Sequence, residues 1–300
     1  MYYYITNPTS GRGAINGIQD KLRDSLEQLG IAGEFVKTTG PGDATRLAQV
    51  AVEKGFQTIV AVGGDETVNE VMNGVVGHNA AIGIIPIGRT NKLANQLGIT
   101  TWQQSLPLLA ARRITSYRLL AAGQHYFLSE LTIGFETDQD KTVDVAGSKL
   151  RDRAKHFRNS WRQARKYQTL SAHLKVDDDY EVDCEFFTLS VANQKFLDPL
   201  ADDRLLISLS DSPNRRQLTS YLWQRTATSG APLDHITTRL YAERLVVETT
   251  PAAGIMIDSK VSGRTPIAIR LTDQEIRFIC DKPENAFRPT EKAPRKKDLT

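Results

Sequence analysis

Two short runs, "TIVAV" (58–62) and "AAIGIIPIG" (80–88), constrain the fold of this chain more than any other feature. Both are apolar at consecutive rather than alternate positions. A strand of that kind needs cover on both faces, which parallel sheets flanked by helices provide. The neighbouring segments supply the cover. Ile18, Leu22, Leu26 and Leu29 recur at helical spacing ahead of Gly30, and Val68, Val71, Met72 and Val75 do so ahead of Gly77. A further helix carries Leu47, Val50 and Ala51, with Asp43 expected as its N-cap and Gly55 as its stop. "YYYIT" (2–6) and "GEFVKT" (33–38) read as two more strands. Strand and helix in strict alternation predict an α/β domain with a parallel sheet over residues 1–123.

Beyond about residue 114 the pattern changes. "ITSYRLLAA" and "QHYFLSELTIG" read as adjacent strands turning at Gly123, and "LSAHLKV" and "YEVDCEFFTLSVAN" form a hairpin across Asp177 to Asp179. Further β-like runs are "RLLISLS", "RLVVETT", "IMID", "PIAIRL" and "EIRFICD". Many short strands with few helices predict a mostly antiparallel sandwich or barrel over 124–282. The Pro-, Lys- and Arg-rich end, about 283–300, reads as a flexible tail or a strap back onto the first domain.

Composition narrows the class. Charged residues make up 24% and hydrophobic ones 40% of 300 residues, enough for sizeable cores in a soluble chain. A net charge of +3 is too small to name a partner. The opening "MYYYITNPTSGRG" has neither a basic n-region nor a long apolar core, and no run of 18 apolar residues occurs, so neither a leader nor a spanning helix is expected. Cys184 and Cys280 lie in apolar, strand-like stretches; two cysteines make no disulfide framework and point to a reducing cytoplasm.

In a parallel α/β sheet, ligands bind beyond the carboxyl ends of the strands. Three loops with phosphate-friendly chemistry leave those ends: "NPTSGRG" (7–13), "GGDET" (63–67) and "PIGRTNK" (86–92). Singly each is ordinary turn chemistry; at successive strand ends they favour a nucleotide cleft. Helices after the first and second loops would turn their N-terminal amides to an anion. Gly63 and Gly64 permit close backbone approach, and Thr67 offers a hydroxyl. Asp65 has two readings, a group that holds Mg²⁺ or orients an acceptor hydroxyl, or simply the cap of the helix that follows. Glu66 is the anomaly, a carboxylate where an anionic ligand should sit.

The ordered set "NPTSGRG", "TTGPGDA", "VAVGGDETVNEVMNG" and "IIPIGRTNKLANQLGI" resembles the diacylglycerol kinase catalytic-domain family, and a weaker likeness runs through "VAN" (191–193), "PLADDRLLI" (199–207) and "IMIDSK" (255–260). The resemblance implies an α/β nucleotide-binding domain like those of phosphofructokinase and the NAD kinases, joined to a β-sandwich domain that receives a lipid. It implies ATP and Mg²⁺ in the cleft between them, and phosphorylation of a hydroxyl on diacylglycerol or a similar lipid. Asn7, Pro8, Thr9, Ser10, Gly11, Thr38, Gly63, Gly64, Asp65, Glu66, Thr67, Val68 and Asn69 fall where the family holds ATP. Asp203, with Leu205, matches part of the family's second-domain Mg²⁺ site; the other reading of Asp203 is a turn residue.

Several positions depart from the family pattern. Glu66 stands for a glycine, Arg89 and Lys92 for a threonine and an aspartate, and Arg204 for another glycine. Lys260 follows Asp258-Ser259 where bacterial members carry the glutamate assigned as the base. A protonated lysine, with an ordinary pKa of about 10.4, accepts no proton. Two hypotheses follow. In the first, Glu66 pairs with Arg89, Lys92 or Lys260 in a rewired site and serves as the substitute base, beside Asp65 and Asp258. In the second, that ion pair plugs the cleft and leaves a catalytically impaired nucleotide- or lipid-binding regulator. Arg89 is expected to pair with Glu66 or, alternatively, to clamp phosphate bidentately.

"KLRDRAKHFRNSWRQARK" (149–166) holds eight Lys/Arg against one acid, with Phe157 and Trp161 four apart. As an amphipathic helix it either meets an anionic membrane at the inner face or packs its aromatic stripe on the sandwich; nucleic acid fits the pattern less well. Edge strands in the second domain allow a homodimer.

Overall fold

A computed structural model describes residues 1–135, 157–162, 164, 167–227, 236–258 and 260–281. Its first sheet begins with four parallel strands in the order β2 (Gly33–Lys37), β1 (Tyr2–Thr6), β3 (Thr58–Gly63), β4 (Ala81–Pro86). Strands β1, β3 and β4 are buried along their whole length, as their continuous apolar character requires. Alternate residues feed two cores. On one side Ile59 and Ile82 meet Leu47, Ala48, Val71 and Met72 of α2 (Asp43–Glu53) and α3 (Asp65–Val75). On the other, Val60 and Ile85 meet Leu22, Leu26 and Leu109 of α1 (Gln19–Gln28) and α5 (Trp102–Ala111). The short α4 (Lys92–Gln96) follows the third loop.

Two local expectations change. Gly42, with φ of 80°, is the N-cap of α2. Asp43 is instead the first helical residue, and its carboxylate accepts from the Thr39 amide at 2.9 Å. The first loop does not run straight into a helix either. Left-handed Gly11, Arg12 and Gly13 carry it through 3-10 turns at Ser10–Arg12 and Ala14–Gly17, so the N-terminus of α1 lies downstream of the loop.

The second half is a sandwich. The first sheet continues from β4 into β16 (Ile267–Ile279), β13 (Arg244–Thr250), β8 (Leu170–Val176) and β9 (Tyr180–Phe186), with β5 (Ile114–Ala122) on β16 and β6 (His125–Phe127) on β5. The second sheet runs β12 (Thr237–Ala242), β11 (Leu205–Ser210), β10 (Thr188–Asn193), β7 (Glu130–Gly134), β14 (Gly254–Ile257), β15 (Lys260–Arg264). Leu120, Leu174, Val247 and Ile269 of the first sheet interlock with Leu131, Val191, Ile207 and Ile255 of the second.

Runs that read as single strands divide between the sheets. "QHYFLSELTIG" holds β6 and β7, and "YEVDCEFFTLSVAN" breaks at Phe187 into β9 and β10. At that corner the Phe187 amide donates to Ser210, and its ring stacks on Phe135. The reverse holds for "PIAIRL" and "EIRFICD", which are one strand. Strand β16 pairs antiparallel with β13 over Ile267–Arg270, passes a bulge between Leu271 and Glu275, and then lies parallel to β4 at Arg277 and Phe278. A bulge bends a strand, which lets one chain segment serve both the sandwich and the α/β sheet.

Helix α6 (Gln194–Leu197) is a single turn, and α7 (Arg215–Ala227) packs Leu218, Tyr221 and Leu222 beside Phe135 and Phe187. Residues 157–162 are helical, and Phe157 and Trp161 pack against this same cluster, so the aromatic stripe faces the protein while Arg158 and Arg162 are exposed. The remainder of the basic segment (149–156, 163, 165 and 166), the tail 283–300 and Ser259 lie outside the described residues. No helix among the described residues is long and apolar enough to cross a membrane.

Phe278 is fully buried in β16 just after its bulge. Phe278→Ala is expected to cost about 3–5 kcal/mol, read as a lower urea midpoint at unchanged slope. An unshifted midpoint would show that the two halves do not depend on this strand.

Candidate nucleotide cleft

Because β2, β1, β3 and β4 are parallel neighbours, the loops after them lie side by side at one sheet edge. Glycine draws the loops together. A Cβ on Gly11 would stand 2.2 Å from the Ile87 carbonyl oxygen, and one on Gly88 would stand 2.5 Å from the Gly64 Cα. Side chains then tie them. Asn7 donates to Thr67 Oγ1 at 3.2 Å and accepts from the Thr9 amide and hydroxyl. Thr67 is buried, with its hydroxyl turned to Asn7 rather than outward. Asp65 is the first residue of α3, after the N-cap Gly64. Its carboxylate reaches the next loop, accepting from the Leu93 amide at 2.9 Å and the Thr90 hydroxyl at 2.8 Å. Thr38 is buried at the end of β2, where its amide bonds Thr6. The result is a backbone-lined rim at which α3 starts immediately after Gly64. The first turn of a helix leaves amides without intrahelical partners, so this rim suits a phosphate.

Opposite the apolar stripe of α3 runs a polar one. Glu66, Asn69, Glu70 and Asn73 follow the spacing i, i+3, i+4, i+7, and each bonds to the second half. Lys260, at the start of β15, lies 2.9 Å from Glu66 Oε1 and 3.3 Å from Glu70 Oε1. Asn69 donates to Asp258 Oδ2 at 3.1 Å, and Asn73 bonds the Tyr126 backbone through both its amide nitrogen and its oxygen. Glu70 also accepts from the Gly42 and Ala44 amides, which fixes the loop before α2. Of the three cations proposed for Glu66, Lys260 takes it. Lys92 pairs with Glu130 instead, and Arg89 is exposed, with no ion pair among the described residues. The expected Arg89–Glu66 pair does not form, since Lys260 holds that carboxylate.

The charges balance unevenly. Burial works against the Lys260 ammonium, but the hydrogen bond and charge of Glu66 and the charge of Glu70 outweigh it and raise the lysine's pKa. It is therefore a firmer cation than a free lysine. Asp258 is buried, and desolvation lifts its pKa despite the Glu130 amide, Lys92 and Asn69 acting in the other direction.

Asp203 lies away from this cluster. Its Oδ2 accepts from Arg118 at 2.9 Å, while its Oδ1 is buried without a hydrogen-bond partner among the described residues. No group of three or more His, Cys, Asp or Glu able to hold a metal occurs among the described residues. Leu205 begins β11 and is fully buried. One free carboxylate oxygen beside a guanidinium does not fit Mg²⁺, which demands near-octahedral oxygen coordination.

Residues 1–121 match the family model described as the diacylglycerol kinase catalytic domain. Over that stretch, residues 1–121 of 300, the chain is similar to this family. A diacylglycerol kinase of Bacillus subtilis is 41% identical over 97 residues, 32% of this chain and 32% of that protein. The chain thus spans about a third of the length of the first curated relatives it matches. A crystal structure of a diacylglycerol kinase from Bacillus anthracis aligns with TM-score 0.69 over 93% of this chain and 96% of that one, at 19% identity. An NAD kinase from Archaeoglobus fulgidus, solved with ATP, aligns with TM-score 0.55 over 93% of each chain at 15% identity. Both structures share the fold of this chain: a mainly parallel α/β sheet and a separate antiparallel sheet.

Glu70 and Asn73 of α3, and Glu130 of β7, are site residues that the sequence does not single out. The sequence signal for the first two is the recurrence of four polar residues at a helical period on α3, opposite its apolar stripe. Nothing in the sequence pairs Lys92 with Glu130.

The raised pKa of Asp258 has a defined sign. The folded state binds its proton more tightly than the unfolded state, so this group's contribution is largest below the unfolded carboxylate pKa of about 3.9 and is lost as pH rises through the folded value. Wild type should therefore gain stability relative to Asp258→Asn as pH falls from neutral towards 4, measured as the difference between urea midpoints. A difference independent of pH would contradict the burial of this carboxylate.

Proposed function

We propose that the chain is an ATP-dependent phosphotransferase whose acceptor is a hydroxyl of diacylglycerol or a similar lipid. Residues 1–123 hold the nucleotide and 124–282 receive the acceptor. The supporting observation is the Glu66–Lys260 pair, which places a carboxylate on the wall opposite the family's glutamate and a cation in that glutamate's position. Glu66 is 54% and Lys260 40% exposed, so their bond contributes only about 0–1 kcal/mol and opens readily. A plug would need a buried pair. A labile exposed pair instead presents a carboxylate and an ammonium to whatever enters.

ATP is held by Asn7 to Gly11, Thr38 and Gly63 to Asn69, with Arg89 free to clamp phosphate. Bound there with Mg²⁺, it supplies the phosphoryl group. Glu66, paired with Lys260, accepts the proton of the acceptor hydroxyl, the role of the family's glutamate transposed to the opposite wall. Asp258 orients Asn69, and Asp65 holds the third loop in register. Phosphoryl transfer rests mainly on such positioning and on nearby positive charge, which Arg89 and Lys260 provide. The protein works in the cytoplasm and meets its lipid at the inner membrane face.

The test incubates the full chain with labelled ATP, Mg²⁺ and a panel of membrane lipids. Labelled phospholipid is expected, and Glu66→Gln should lower kcat by about 10²–10⁴-fold with little change in the KM for ATP. Full turnover by Glu66→Gln would remove the base assignment. Nucleotide binding without product would assign the chain to the regulator class.

A further inference from the structure

The part of the second half where the family resemblance implies a divalent ion is organised around a guanidinium. Arg118 projects from β5 and makes three charge-assisted bonds to two different segments. Its Nη1 donates to Asp203 Oδ2 at 2.9 Å in the loop before β11. Its Nη2 donates to Asp273 Oδ1 at 3.1 Å, and its Nε to the Thr272 carbonyl at 3.0 Å, both in the bulge of β16. The same residue's carbonyl accepts from Asn193 at the end of β10, and Thr272 Oγ1 donates to the Leu119 carbonyl. One side chain thus gathers β5, the approach to β11 and the bend of β16.

We propose that Arg118 is the resident cation of this region, a side chain standing where the fold family implies Mg²⁺. Two observations and one electrostatic argument carry this. Two carboxylates, Asp203 and Asp273, converge on a single positive charge, the arrangement a bound cation would impose. The oxygen left over, Asp203 Oδ1, is buried without a hydrogen-bond partner among the described residues, so Arg118 satisfies the carboxylate from one side only. A divalent ion on that oxygen would share the carboxylate with Arg118 at short range, and like charges so placed repel strongly. Arginine stays ionised at any accessible pH, and its planar fork meets several acceptors in fixed directions. Unlike a metal, it cannot be chelated or diluted away. The folded second half is then independent of divalent ions, and Mg²⁺ is required only with the nucleotide.

Thermal unfolding of the full chain without nucleotide tests this separately from catalysis. The wild-type Tm should be the same in EDTA and in excess MgCl₂. Arg118→Gln should lose several degrees in EDTA and regain part of them with MgCl₂ or MnCl₂, because Asp203 and Asp273 then face a vacated cation position. Two results would overturn the proposal: a wild-type Tm raised by MgCl₂ and insensitive to it in Asp203→Asn, or an Arg118→Gln deficit that no divalent ion restores. Should Arg118→Gln fail to fold, the wild-type and Asp203→Asn comparison decides alone. These outcomes do not depend on the kinase reading, since none of them measures phosphoryl transfer.

Discussion

The molecule turns on one strand shared by two architectures. Strand β16 enters as part of an antiparallel sandwich, bends at its bulge and leaves as the parallel neighbour of β4. Two sheets that met only through loops would be free to hinge, whereas backbone ladders on both ends of one strand set their spacing. That spacing brings the turn between β14 and β15 over the N-terminal half of α3. Every polar contact across the cleft, from Asn69–Asp258 to Glu66–Lys260, depends on it.

Within that frame, interactions of different strength have different roles. Buried or multiply bonded groups fix the geometry: Asp65 on the third loop, Glu70 on the loop before α2, Asp258 on Asn69 and the Glu130 amide. The exposed pair Glu66–Lys260 fixes little, because solvent competes for both partners. A site needs a rigid rim and a reactive group that can be displaced. The altered residues follow this division, with the extra glutamate and lysine at the exposed position and the glycines kept where loop backbones touch.

Much of the fold was legible in the sequence for simple reasons. Continuous apolar runs at β3 and β4 need cover on two faces, and helical stripes ending in glycine supply it. The three loops were legible as a set because a parallel sheet puts alternate connections at one edge. Corners were not legible. The run from Tyr180 to Asn193 keeps its β character through Phe187, so nothing local says that it changes sheets, and the bulge of β16 hides one strand in what reads as two. The expected N-cap at Asp43 failed because Gly42 adopts the left-handed conformation and frees that carboxylate for Thr39.

The sequence by itself determined the α/β first domain, the three phosphate-friendly loops and the presence of a misplaced carboxylate, since periodicity, glycine and charge are local properties. Which cation answers Glu66 was decided only by the tertiary structure. Residues 66 and 260 are remote in the chain, and three candidate cations carry the same charge. Only the register of β14 and β15 against α3 distinguishes them. The same holds for Arg118, an unremarked strand residue until the bend of β16 delivers Asp273 and Thr272 to one side of it and the approach to β11 delivers Asp203 to the other.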